Sequence, residues 1–123
     1  MKYVILIHSN PEPWGHPTTS YTAKGRQLPA AQREKMDRDW ETLMTELKAS
    51  GEFLTGEALG DPAHARLYTA GPTGAVTTDG PYAEAKEHLA GFFLFDFPTQ
   101  QRAEEVAAQF TSPGDTVELR PLM

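Results

Sequence analysis

The sequence contains no cysteine, and it has no long apolar run. Without thiols the chain cannot form disulfides, use a thiolate nucleophile or bind zinc through sulfur. No apolar stretch approaches the roughly 18 residues that a membrane-spanning helix needs. The apolar segment near the N-terminus is too short for a signal peptide, and no cleavage-site pattern follows it. We therefore expect a cytoplasmic protein that makes no membrane contact.

Basic residues are also scarce, with 11 Lys and Arg against 17 Asp and Glu, so that the formal charge is −6. An acidic chain has no electrostatic reason to bind nucleic acid phosphates. Metal-binding spacings and phosphate-binding glycine loops do not occur. We expect no cofactor and no metal, although a site assembled in three dimensions from His8, His16 and Asp79 remains open.

The chain has 123 residues, which fits a single domain spanning 1–123. Hydrophobic periodicity predicts a main helix over 30–50 and a second helix beginning at Thr99. Predicted strands cover 3–7, 52–59, 65–70, 75–78, 91–97 and 117–120. The order β, α, β, hairpin, β, α, β predicts an α+β fold of the ferredoxin-like split βαβ type with an inserted β-hairpin.

Two predicted helices cover only one face of an antiparallel sheet. The segments KYVILI and GFFLFDF nevertheless carry apolar residues at almost every position. Because large apolar sheet faces rarely stay exposed, a second copy of the chain is the expected cover. The sequence therefore predicts a homodimer. The segment 9–29 is rich in Pro and Gly, and we interpret it as an irregular loop that passes near a site.

The stretch VTTDGPYAEAKEHLAGFFLFDF is similar, almost residue by residue, to the signature of the YCII-related family, in its DGPF-domain branch. The opening MKYVILIH, the segment GEFLTGEAL and the closing VELRP resemble the same family. The resemblance implies a dimeric α+β barrel. The sequence departs from the family pattern in two places. Residue 82 is Tyr where the motif has Phe, and the segment 30–50 lacks the His that the wider family has near its first helix.

What the resemblance implies about chemistry is broad. The family includes many uncharacterised proteins, a distant dehydrochlorinase that acts on a chlorinated hydroquinone, and domains associated with extracytoplasmic-function sigma factors. The signature residues that carry over include Asp79, Glu84, Lys86 and Gly91. Fold alone does not decide between these roles.

The polar candidates for catalysis are His8, Asp79, Glu84 and Lys86. A carboxylate and an ammonium together can hold an anionic or phenolic substrate, and His is the usual general base near neutral pH. The structural alternatives are a turn around Asp79, a solvated ion pair between Glu84 and Lys86, and a structural His8.

Two hypotheses follow from these residues. The first is a small cofactor-independent enzyme or ligand-binding dimer, with acid/base chemistry on a small aromatic or anionic molecule. Its cleft would lie between sheet and helices and would be lined by His8, Asp79, Glu84 and Lys86, with the segment 9–29 as its cover. Trp14, His16 and Tyr82 are the candidates for ligand binding. The second is a regulatory module associated with a sigma factor.

Overall fold

The computed structural model describes residues 1–16, 19–80 and 86–123. Six strands and three α-helices are present in this part of the chain, together with a short 3-10 turn at Pro62–His64. In chain order they are β1 (Lys2–Ser9), α1 (Ala23–Arg26), α2 (Ala30–Ala49), β2 (Phe53–Ala58), β3 (Arg66–Gly71), β4 (Gly74–Asp79), β5 (His88–Asp96), α3 (Gln100–Gln109) and β6 (Thr116–Pro121). The α+β class predicted from the sequence is confirmed.

The main sheet has four antiparallel strands in the order β2-β5-β1-β6, and β3 and β4 form a separate hairpin. Two differences from the sequence analysis stand out. The loop 9–29 contains the short helix α1, which begins at the N-cap Thr22, whose hydroxyl accepts a hydrogen bond from the Gly25 N–H. Strand β5 begins three residues earlier than predicted because its first residues continue the pairing with the end of β1.

Helix α2 ends, and helix α3 begins, where the sequence predicts. Helix α2 stops at Ser50, and Gly51 follows with φ of +80°, a conformation that favours glycine. Helix α3 begins after Thr99, whose side chain accepts a hydrogen bond from the Arg102 N–H.

The core lies between one face of the sheet and the helices, and its centre is the fully buried Phe95. Strand β1 alternates strictly, so Tyr3, Ile5 and Ile7 are buried. Leu47 of α2 and Val106 of α3 are fully buried against this face. The sequence pattern of the two helices therefore corresponds to their buried stripes.

The opposite face of the sheet carries a second apolar set. Val4 and Leu6 of β1 pair with Leu94 and Phe92 of β5, and all four side chains are half-buried in the protomer. We call these four residues the open face. Because α2 and α3 pack on the other side, neither of them covers it.

The β3–β4 hairpin closes at its base through Gly80. The Gly80 N–H donates a 2.8 Å hydrogen bond to the Ala65 carbonyl, and a Cβ at Gly80 would lie 2.9 Å from the Ala65 Cβ. This close approach explains the glycine of the DG pair by backbone packing. The hairpin exposes Tyr68 and Val76.

A bidentate ion pair joins the start of β2 to the first turn of α3. Arg102 Nε and Nη2 donate to the two carboxylate oxygens of Glu52 at 3.0 and 3.1 Å. The Glu52 side chain is only 12% exposed. The hydrogen bonds from Arg102 lower the pKa of Glu52 below its ordinary value of 4.5.

We predict that Glu52→Gln lowers the free energy of unfolding by about 1 to 2 kcal/mol at neutral pH. A carboxyl group with a lowered folded pKa stabilises the fold above its unfolded pKa and loses that contribution as the pH falls through the folded value. The difference in the free energy of unfolding between wild type and variant should therefore be smaller at a pH below the unfolded pKa of Glu52 than at neutral pH. Urea unfolding at both pH values measures it, with the exposed Glu104→Gln as control. A difference that does not change with pH would contradict the assigned role of the ion pair.

Candidate functional site

A cleft of about 740 Å³ lies between helix α2 and the sheet, at the end where β1 finishes and β5 begins. Its position follows from side-chain size. Along β5, the helix-facing residues change from Phe95 and Phe93 to Gly91. Along β2, they change from Phe53 to Gly56. The core is therefore filled at one end of the sheet and open at the other.

Three aromatic rings form one wall of the cleft. The Trp40 ring lies edge-on to Phe93 and Phe110, at centroid distances of 5.7 and 4.8 Å. The ring centroids of Phe93 and Phe110 are 5.1 Å apart, and the two ring planes are perpendicular, at 90°. Such edge-to-face contacts hold the rings in defined orientations. This wall of the cleft is therefore apolar, and its rings hold one another in place.

Two glycines make this geometry possible. A Cβ at Gly56 would lie 2.6 Å from Cδ1 of Phe93, so the missing side chain leaves room for that ring over β2. A Cβ at Gly91 would lie 2.9 Å from the backbone oxygen of Glu57, which cannot move away as a side chain does. Gly91, a signature position in the sequence, is therefore explained by close strand packing.

The polar end of the cleft is built on Asp115, which precedes β6. The Ser9 hydroxyl donates a 2.5 Å hydrogen bond to Asp115 Oδ1, and Ser9 is fully buried. Strand alternation directs Ser9 toward the helices together with Ile7. His16 and Thr19 also line the cleft, on the loop side.

The loop that was predicted to pass near a site does border the cleft, and the structure shows how it is attached. Thr22 donates a 2.9 Å hydrogen bond to the Pro113 carbonyl. The Thr19 and Ser112 hydroxyls lie 3.1 Å apart. These contacts join the loop to the turn before β6, which also carries Asp115.

A match to a known protein family identifies the family of this chain. The family model of the YCII-related domain matches residues 1–122. The chain belongs to the YCII-related family. No curated protein matches it. The resemblance seen in the sequence is thereby confirmed at the level of the family.

The structure of this YCII-related protein places His8 differently from expectation. His8 lies between Ile7 and Ser9, which both face the helices, so its side chain points to the opposite side of the sheet. There His8 Nε2 lies 2.9 Å from Glu118 Oε1, and Glu118 also accepts a hydrogen bond from Arg120. The expectation that His8 borders the cleft between sheet and helices is wrong.

The remaining candidates are spread over several places. Asp79 ends β4 at the base of the hairpin and is exposed. Lys86 is exposed, and its carbonyl accepts a hydrogen bond from the Asn10 side chain at 2.5 Å. Neither residue lines the cleft. Glu84 and Tyr82 lie outside the described residues. The catalytic roles suggested for His8, Asp79, Glu84 and Lys86 stay predictions.

Of the expected ligand-binding residues, His16 lines the cleft, where its ring stacks on Tyr21 at 4.6 Å. Trp14 lines a smaller pocket of about 340 Å³, with Arg26 and His88. The two aromatic candidates of the loop therefore belong to different cavities.

Sequence reasoning missed Ser9 and Asp115. Asp115 is not among the residues predicted for a site, and Ser9 is the first residue of the predicted loop 9–29. A signal for Ser9 was available, since the alternation of β1 places position 9 on the buried face, where an unexplained polar residue is notable. Asp115 carries no such signal, because its neighbour Ser9 is 106 positions away in sequence.

Within residues 1–16, 19–80 and 86–123, no three His, Asp or Glu side chains are grouped as a metal site would require. None of the helices in the same ranges has the length and hydropathy of a membrane-spanning segment.

We predict that Thr22→Val weakens the attachment of the loop and lowers the free energy of unfolding by about 1 to 2 kcal/mol. The substitution keeps the shape of the side chain but removes both the N-cap and the bond to Pro113. Chemical denaturation measures the effect, and limited proteolysis of the 10–21 segment should become faster. Thr45→Val, on the exposed side of α2, is the matched control. Equal stabilities for the two variants would contradict the prediction.

Proposed function

We propose that this YCII-related protein binds a small aromatic molecule in the cleft. The observation that carries the proposal is the wall formed by Trp40, Phe93 and Phe110 beside the Ser9–Asp115 pair. Binding sites for small molecules are typically concave and apolar, with a few polar groups that orient the ligand. The volume of about 740 Å³ lies within the range of such sites.

An enzymatic role is the narrower form of this proposal. Proton transfer without a cofactor requires an acid or base within hydrogen-bonding reach of the ligand. The described lining of the cleft includes His16 and several carboxylate residues, which are groups of this kind. The signature residues Asp79 and Lys86 would act in such a reaction only if ligand binding brings them to the cleft. Glu84 lies outside the described residues.

We further propose a ferredoxin-like protomer of the DGPF branch that assembles through its open face as a dimeric α+β barrel. The strand order β2-β5-β1-β6 supports the ferredoxin-like plan. The half-buried apolar residues Val4, Leu6, Phe92 and Leu94 support the dimer, since burying them removes apolar surface from water. Cytoplasmic residence and association with a sigma factor remain predictions from the sequence.

The two tryptophans allow a direct test of the cleft. Trp14→Phe leaves Trp40, in the cleft, as the sole tryptophan, and Trp40→Phe leaves Trp14, in the smaller pocket. We expect a panel of small aromatic compounds to quench or shift the emission of the Trp14→Phe variant in a saturable way. The Trp40→Phe variant is the matched control and should respond weakly to the same compounds. A response confined to Trp14 would overturn the assignment of the site.

The dimer has its own test. We predict that Phe92→Glu converts the protein from dimer to monomer, because a carboxylate on the open face cannot be buried without a partner. Size-exclusion chromatography with light scattering measures the mass, and circular dichroism should show an intact fold. Thr45→Glu, on an exposed helix position, is the control and should stay dimeric. A wild-type protein that is monomeric at micromolar concentration would contradict the prediction.

A further inference from the structure

The smaller pocket, of about 340 Å³, is a cavity in its own right. Its described lining shares no residue with that of the cleft. Two parts of the loop 9–29 form most of the wall, and Pro62 of the 3-10 turn and His88 at the start of β5 complete it. The volume is at the lower end of the range for small-molecule sites, so the pocket suits a compact ligand.

Arg26 is held in a fixed position in this wall. Its Nε donates a 3.2 Å hydrogen bond to the Ser20 carbonyl, and its Nη2 donates to the Glu12 carbonyl. The neighbouring Gly25 is buried, and a Cβ there would lie 1.6 Å from the backbone oxygen of Thr19. Helix α1 therefore lies directly against the loop. The guanidinium is oriented by the protein before any ligand binds.

The polar groups of the pocket are mainly hydrogen-bond donors. Arg26 Nη1 has no hydrogen-bond partner among the described residues, and neither does the half-buried side chain of His88. The Asn10 amide donates a 2.5 Å bond to the Lys86 carbonyl and keeps a second N–H. Glu12 supplies the one carboxylate of the described lining, and it is exposed. The pocket thus offers directed donors to a ligand that brings acceptors.

The remaining wall is apolar. Trp14 and Tyr21 are half-buried, and Pro11 is fully buried beneath them in the loop. Tyr21 stacks on His16, whereas Trp14 makes no ring contact with any described residue. The Trp14 ring is therefore available to pack against the apolar part of a ligand.

We propose that this pocket binds a carboxylate joined to a compact apolar body. The Nη1 and Nη2 end of Arg26 donates to the carboxylate oxygens, a pairing for which the planar guanidinium is well shaped, and Trp14 contacts the apolar body. This site goes beyond the ligand proposed for the cleft and does not depend on it. The sequence predicted an anionic ligand through Lys86, which lines neither cavity. Arg26 takes that role here.

Three probes with the same ring and similar size test the proposal. At neutral pH, cyclohexanecarboxylate is an anion, cyclohexylmethanol is neutral and cyclohexylmethylamine is a cation. None of them is aromatic, so they differ from the compounds proposed for the cleft. Binding is followed in the Trp40→Phe variant through the emission of Trp14, its sole tryptophan, and is checked by calorimetry. We expect the carboxylate to bind most tightly and saturably, and the amine most weakly.

Variants made in the Trp40→Phe background then locate the effect. Arg26→Gln should weaken carboxylate binding about tenfold, because it removes the charged donor. Arg26→Lys keeps the charge but loses the planar pair of donors, so its affinity should lie between the two. Arg38→Gln, on an exposed position of α2, makes the same change of charge and is the matched control. It should leave all affinities unchanged.

Three results would overturn the proposal. The first is an alcohol or amine that binds as tightly as the carboxylate. The second is an equal effect of Arg26→Gln and Arg38→Gln. The third is the absence of any saturable response of Trp14 to the carboxylate, which leaves the separate test of the cleft through Trp40 untouched. Because Arg26 also holds the loop, circular dichroism checks the fold of its variants. If Arg26→Gln fails to fold, the order of the three probes in the Trp40→Phe variant decides the question.

Discussion

The aromatic cluster centred on Phe95 is the feature on which the rest of the structure depends. The centroid of its ring lies 4.9 Å from that of Phe97, 5.6 Å from that of Phe110 and 5.9 Å from that of Phe53. These contacts join the end of β5, the end of α3 and the start of β2 in one core. A buried phenylalanine contributes about 3 to 5 kcal/mol relative to alanine, so this cluster dominates the stability of a small domain. It also decides where the core ends, and the cleft begins at that point.

The cleft is a consequence of how the same strand continues. At Phe93 and Phe95, strand β5 places large rings against the helices. At Gly91, near the start of the same strand, no side chain fills the space between the sheet and the helices. Phe93 belongs to both regions, since it packs against Phe95 and faces the cleft. The stability of the core and the shape of the candidate site therefore both depend on Phe93. The core packing holds this wall of the cleft in place.

The secondary structure was predictable because it depends on local pattern. The main helix over 30–50, the start of the second helix at Thr99 and the inserted hairpin all depend on neighbours within a few residues, and all are confirmed. Helix α1 was missed because four residues among prolines carry no periodic signal. The candidate site was harder, because Ser9 and Asp115 meet only through the pairing of β1 with β6.

The sequence by itself determined the family, the α+β class, the order of the elements and the buried stripes. Each of these depends on a motif or on hydrophobic periodicity. Tertiary structure alone decided what packs against each face of the sheet. His8 and Ser9 are adjacent in the chain, yet they lie on opposite faces because side chains alternate along a strand. The helices pack on only one of these faces. Ser9 therefore supports the cleft, while His8 pairs with Glu118 on the other side.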